Sequence, residues 1–231
     1  MRIPIYVEFK GKNVLVIGGG GVGTFRAKKF LKAGAKVKVF SLDFSDELRR
    51  LEREKAVELL RGDVNDLNKL EDLIRESDLI VVALPFTDLN DRIVEIASKY
   101  KTLVNLANDA SKTEVVIPFE GEFEGIRFAV TTEGKSGIVA RKVKDIFLKT
   151  LKEDDDIIFF LKAMDHLKKY MKARGIPIQK RMKLYFAVSS NEKFREYVRR
   201  GEVESAKKWA EKLVEDYVNG RRELDVEGIE F

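Results

Sequence analysis

The chain reads as an α/β protein: a Rossmann-like, doubly wound parallel sheet first, then a small added element, then a helical C-terminal domain. Three observations carry that reading. Over roughly the first 115 residues, short apolar runs alternate with amphipathic stretches of helical period. The first apolar run opens directly into a glycine-rich loop and a helix pattern, NVLVIGGGGVGTFRAKKFLKAGA at 13–35. Past residue 153 the periodicity is helical throughout.

Taken in order, candidate strands lie at 13–17, 36–40, 56–60, 79–83 and 102–106, with helix patterns between them at 22–33, 45–54, 66–75 and 88–100. The strands are continuous apolar runs rather than alternating ones, as expected when crossover helices cover both faces of a parallel sheet. From 114 to 132 the pattern changes to two strand-like runs, 114–119 and 126–131, separated by glycine and acidic residues. A helix pattern follows at 138–151. Asp154, Asp155 and Asp156 are placed to cap and charge the next helix, whose apolar face carries Ile157, Ile158, Leu161, Met164, Leu167 and Met171 and which ends at Gly175 and Pro177. Ser189 with Glu192 reads as a capping box opening a segment that closes at Gly201, and a last helix runs from about 202 to 218.

Composition narrows the function classes. The chain has 231 residues, 44% of them hydrophobic, and no apolar run approaches the roughly 20 residues of a membrane span. Charge returns at Glu8 and Lys10, which excludes a signal peptide and makes a cytoplasmic location the expectation. There is no cysteine, hence no disulfide and no thiolate metal site. A net charge of +5, well mixed along the chain, does not argue for nucleic acid. The local excess at 162–183, with Lys168, Lys169, Lys172, Arg174, Lys180 and Arg181 against the single acid Asp165, is either a solvated helix face or a docking surface for a polyanion. His166 is the only histidine and reads as an ordinary helix residue, since one imidazole makes a poor metal site; no metal site is expected.

Gly18, Gly20 and Gly23 fill the G-x-G-x-x-G spacing in the required strand–turn–helix context, with Gly21 and Val22 at the start of the helix. Glycines there serve a tight turn, close backbone approach to a pyrophosphate and close helix–strand contact, and the helix N-terminus offers free N–H groups to phosphate. The alternative is a glycine turn that serves only the sheet.

Further residues point to a family. The opening IPIYVEFKGKNVLVIGGGGVGTFRAKKFLKAGAKVKVF at 3–40 is followed in order by Asn90, VNLAND at 104–109, VVIP at 115–118 and TTEGKSGIVARKVKDIFL at 131–148. This succession resembles the N-terminal module of siroheme synthases, the precorrin-2 dehydrogenase family, over about residues 1–150. The resemblance implies an enzyme that oxidises precorrin-2 to sirohydrochlorin with NAD, some members also inserting ferrous iron. It implies an intertwined homodimer built from an NAD-binding Rossmann domain (1–113), a central dimerisation element (114–150) and a helical domain (151–231). Precorrin-2 carries many carboxylates, which suits the basic stretch at 162–183.

The resemblance also assigns sites. The cofactor would lie across Gly18, Gly20, Gly21, Val22 and Gly23, with the backbone around Gly21 and Val22 facing its pyrophosphate, and Leu42 and Asp43, just after strand two, would contact its adenosine end. No basic residue immediately follows Phe40, which favours NAD over NADP. Thr131, Thr132, Lys135 and Ser136 stand where the family has a serine- and glycine-rich loop, and the tetrapyrrole is expected beside them, in a cleft between the glycine loop and the helical domain. Two departures stand out. The turn after strand four reads ALPFTD at 83–88 where the family has A-T-D-D. The family's catalytic aspartate lies three residues after the asparagine of N-V-V-D, and a gapless register through Ile117 and Pro118 puts Asn108 there, with Asp109 next. Of the two, only Asp109 can accept a proton, because an asparagine amide is no base at neutral pH. The competing reading has Asp109 capping a turn with Asn108 and Ser111, leaving Asn108 to orient the substrate. A third function class, a non-catalytic nucleotide-sensing module like those regulating potassium channels, would want an acid at the end of strand two, where Phe40, Ser41 and Leu42 stand.

Overall fold

The computed structural model of the chain describes residues 2–222. Its first part alternates β1 (Asn13–Gly19), α1 (Gly21–Lys32), β2 (Lys36–Phe44), α2 (Asp46–Arg53), β3 (Glu58–Arg61), α3 (Leu67–Arg75), β4 (Leu79–Val82), α4 (Asn90–Tyr100) and β5 (Leu103–Leu106). The strands form one parallel sheet in the order β3-β2-β1-β4-β5. The strand order reverses at β1, so the crevice at its carboxyl end is the topological switch point.

Successive side chains of β1 leave on opposite faces and seed two cores. Leu15 and Ile17 join Ile80, Val82, Val104 and Leu106 under Leu70, Ile74, Ile93 and Ala97 of α3 and α4. Val14 and Val16 join Val37, Val39, Leu79 and Val81 under Ala27, Phe30 and Leu48 of α1 and α2. Burial on both faces is why period-2 alternation is missing from these strands. Helix ends follow local chemistry: Ser45 accepts from the Leu48 N–H to cap α2, and Asp66 from the Lys69 N–H to cap α3.

Two expectations are corrected here. β2 runs to Phe44, beyond the apolar run at 36–40, so Leu42 and Asp43 belong to the strand instead of following it. The register shifts between Ile17 and Gly19, which pairs Gly19 with Phe44 and lets the strand continue past its polar residues. The stretch 114–118 is not a strand: the Glu114 and Val115 N–H groups both donate to the Val104 carbonyl, and Val115 and Ile117 pack on the α1-side core. Its apolar alternation reflects that packing.

The hairpin lies later, in β6 (Phe119–Phe123) and β7 (Ile126–Val130), a separate two-stranded sheet. Its two-residue turn, Glu124 and Gly125, has positive φ at both positions (48° and 87°), the geometry that matches strand twist. Phe128 covers Gly121 and meets Phe147 edge-on. Then come α5 (Gly137–Glu153), α6 (Asp155–Ala173), α7 (Ile178–Ser189), α8 (Glu192–Arg199) and α9 (Val203–Val218). Asp154 caps α6, accepting from the Ile157 N–H. The capping box at Ser189 is not formed. Asn191 is the cap of α8, accepting from the Phe194 N–H, while Ser189 closes α7 by donating to the Phe186 carbonyl. The helices enclose a third core of Leu167, Met171, Leu184, Phe194, Ala206, Ala210 and Leu213.

The described residues divide into two compact units, 2–119 with 130–141, and 120–129 with 142–222. No helix among the described residues is long and apolar enough to cross a membrane.

Candidate functional site

The glycine loop at the end of β1 is closed toward the protein and open toward solvent. Gly18 has φ +112°, and a Cβ there would lie 2.5 Å from the Ala83 carbonyl oxygen, at the end of β4. A Cβ on Gly19 would lie 2.2 Å from the Asp43 carbonyl, and one on Gly23 only 1.9 Å from the Gly18 carbonyl, so α1 is pressed onto the loop. Gly20 and Gly21 differ: an added Cβ meets nothing within 4 Å. The N-terminus of α1 has neither a side-chain cap nor an acid in its first turn, and Val22 is exposed beside it. Its free N–H groups and positive dipole end face an unobstructed space. Thr24 staples this start, donating to the Gly20 carbonyl and sharing a 2.8 Å hydrogen bond with the Ser45 hydroxyl. Leu42 and Asp43 are exposed on the adjacent strand end.

The loops after β4 and β5 are locked together by one amide. Asn108 Nδ2 donates to the Phe86 carbonyl at 2.7 Å and the Leu84 carbonyl at 3.3 Å, and its Oδ1 accepts from Asn90 Nδ2 at 3.1 Å. Asn90 is 1% exposed at the first turn of α4. Both ends of the Asn108 side chain are thus engaged. Asp109 is half-buried, and its Oδ1 accepts from the Ser111 hydroxyl at 2.6 Å and the Ser111 N–H at 3.0 Å. These bonds, the hydroxyl's first, hold the Asp109 carboxyl below its ordinary range. Lys112 is raised by its ion pair with Asp91, 2.6 Å away.

The Thr-Glu-Gly-Lys-Ser turn stands beside this loop. A Cβ on Gly134 would lie 2.2 Å from the Ala110 side chain, so the turn and the Asn108–Asp109 loop touch. Arg2 bridges them as well, donating to the carbonyls of Ala110 and Thr113 and pairing with Glu133. Thr131 and Thr132 shape the turn itself: their hydroxyls accept from the N–H groups of Glu133 and Ser136. Ser136 accepts from the Val139 N–H at the start of α5. Lys135 is exposed with its ammonium free of any partner among the described residues. Of the expected substrate groups, Lys135 is therefore the one available for a ligand charge.

The basic stretch at 162–183 is partly spent within its own unit. Lys162 pairs with Glu124, Lys169 with Asp165 and Arg174 with Glu215. His166 sits 2.6 Å from Glu211 on α9. Tyr170, which donates to Glu215, is pushed up to about 12, first by burial and then by that bond. Among the described residues no group of three or more His, Asp or Glu could hold a metal ion.

Comparison with known proteins fits this architecture. A family model described as "Putative NAD(P)-binding" matches residues 5–119. A solved structure titled "SirC, precorrin-2 dehydrogenase" superposes with a TM-score of 0.65 at 20% identity, covering 91% of this chain and 100% of its own, which establishes the shared fold. A siroheme synthase of Actinobacillus succinogenes is 27% identical over 62% of this chain, which spans 29% of that enzyme's length. A Methanocaldococcus jannaschii protein named "Putative precorrin-2 dehydrogenase" is 33% identical over 222 residues, covering 94% of this chain and 98% of that one. The chain belongs to the precorrin-2 dehydrogenase family. That membership sets aside the nucleotide-sensing module.

For a precorrin-2 dehydrogenase, the residues present fit a nicotinamide dinucleotide. Gly20, the second glycine of the G-x-G-x-x-G pattern, and its neighbour Gly21 have clear space before them, and the packing glycines are elsewhere in the loop. Sequence reading missed Arg2 and Phe86. Arg2 acts on groups more than a hundred residues away, a contact without a local signal. Phe86 stands in the ALPF departure, and the hydrogen bond from Asn108 to its carbonyl, which ties it to the loop after β5, has no local signal either.

Proposed function

We propose that this protein oxidises precorrin-2 to sirohydrochlorin with NAD. The observation that supports it most is the convergence, at the carboxyl end of one sheet, of an open glycine loop, a carboxylate and a free lysine beside a helix N-terminus. The nicotinamide, when bound, accepts a hydride. Gly20, Gly21 and the α1 N–H groups would hold the pyrophosphate, with Leu42 and Asp43 bordering the adenosine. A carboxylate at Asp43 and the lack of a basic residue directly after Phe40 favour a free ribose over a 2′-phosphate. Asp109 would take the proton released as the tetrapyrrole loses its hydride. Lys135 and the start of α5 would receive substrate carboxylates, and Asn108 fixes the two loops around them.

The direct test is incubation with precorrin-2 and NAD, following the sirohydrochlorin spectrum, with NADP in parallel; no spectral change with either cofactor refutes the reading. Adding ferrous or cobaltous ion then asks for metal insertion, iron being a second substrate. Lys135→Ala is expected to raise KM for precorrin-2 and to flatten its dependence on salt, since a screened charge pair is lost. An unchanged salt profile removes Lys135 from the site.

We also propose a homodimer joined through 114–150. Ile138 is 84% exposed, and Val139, Ile146 and Phe147 of the same helix are exposed too, while a two-stranded hairpin is marginal alone. Small-angle scattering at micromolar concentration is expected to give twice the 26.5 kDa chain mass; a monomer overturns the assignment.

A further inference from the structure

We propose that Phe86 is the surface on which the nicotinamide ring of the cofactor rests, an inference that builds on dinucleotide binding at the glycine loop. Leu84 turns its side chain into the core under α3 and α4, whereas Phe86, two residues on, is 41% exposed. A single exposed aromatic is ordinary on a protein surface. This one is not on a free loop. Pro85 restricts the backbone before it, and Asn108 Nδ2 donates to the carbonyls of both Leu84 and Phe86. Asn108 is itself held by the buried Asn90. The protein therefore fixes the backbone of an exposed phenyl group with a two-asparagine brace.

Topology supplies the occupant. In a sheet of order 3-2-1-4-5 a dinucleotide crosses the switch point with its pyrophosphate at the β1 loop. Its adenosine lies on the β2 side, where the ribose-binding residue of such folds stands, and its nicotinamide on the β4 side. The β4 loop touches the glycine loop: Gly18 has no room for a Cβ because the Ala83 carbonyl is there. Phe86 follows Ala83 by three residues. A flat, apolar ring there offers a face for stacking on the nicotinamide and keeps water from one side of it.

The test compares two ligands that differ only at that end. NADH and ADP-ribose share adenosine and pyrophosphate, but ADP-ribose lacks the nicotinamide ring. Titration calorimetry on the intact protein and on Phe86→Ala is expected to show NADH binding weakened about tenfold and ADP-ribose changed less than about twofold. Phe86→Tyr, which keeps the ring, is expected to restore NADH affinity, and Phe86→Leu, which keeps bulk without a π face, to restore it only in part. Equal losses for both ligands overturn the proposal by making Phe86 a general support of the loop. Unchanged NADH affinity with a raised KM for precorrin-2 overturns it too, giving the ring to the tetrapyrrole. Failure of the parental protein to bind either ligand refutes dinucleotide binding itself, and the proposal with it.

Discussion

Gly20→Val is expected to yield a folded protein that no longer binds NAD or NADH. Gly20 has φ −80° and ψ −166°, extended backbone that valine adopts readily, and no atom lies within 4 Å of its would-be Cβ. The substitution costs the fold little, because the space it fills is where a pyrophosphate would approach. Loss of about two hydrogen bonds to a charged group, at roughly 1.5–3 kcal/mol each, weakens binding on the order of a hundredfold or more. Gly23→Val is the contrasting control. Its Cβ would sit 1.9 Å from a backbone carbonyl, so it is expected to lose thermal stability as well as binding. Calorimetric titration and thermal denaturation of both variants separate the cases. Parental NADH affinity in folded Gly20→Val refutes the cofactor assignment.

Asp109→Asn is expected to retain cofactor affinity and to lower kcat by about a hundredfold or more, the usual contribution of a positioned base. Asparagine keeps an oxygen that can accept from Ser111, so the turn survives while the basicity is lost. The pH profile gives a second readout. A base is lost as pH falls through its pKa, and Asp109 is held low by Ser111, so the acid limb of kcat/KM is expected below the ordinary aspartate value of about 3.9. Ser111→Ala removes the hydroxyl's hydrogen bond and leaves that of the N–H, moving that limb upward. A parental rate in Asp109→Asn reduces the carboxylate to the cap of its own turn.

The parts of the fold that were legible were those whose cause is local. The apolar run at 14–17 is buried on both faces of the sheet, and the glycines that follow it mark the turn into α1. The helix starts at Ser45 and Asp154 follow from a side-chain oxygen within reach of nearby N–H groups. At 189–192 the S-x-x-E spacing favoured Ser189; the structure uses Asn191, whose Oδ1 also accepts from the Trp209 indole N–H on α9. That tertiary bond has no trace in the local spacing. The stretch 114–118 misled for a related reason. Alternating apolar residues fit a strand, but Asn105 Nδ2 donates to the Val115 carbonyl and the segment lies down on the core as an irregular strap. Among site residues, the glycine loop was readable from its neighbours, whereas the environment of Asn108 depends on Asn90, Leu84 and Phe86, brought together by the parallel pairing of β4 with β5.

The Asn108 brace ties together the two departures from the family pattern. A carboxylate in that position would have no proton to give to the Leu84 and Phe86 carbonyls and would face two oxygens across 2.7–3.3 Å. An ionised aspartate at position 108 is therefore incompatible with this conformation of the β4 loop at neutral pH. Asn108→Asp is expected to leave the Leu84 and Phe86 carbonyls unmatched at the mouth of the sheet and to loosen the loop after β4.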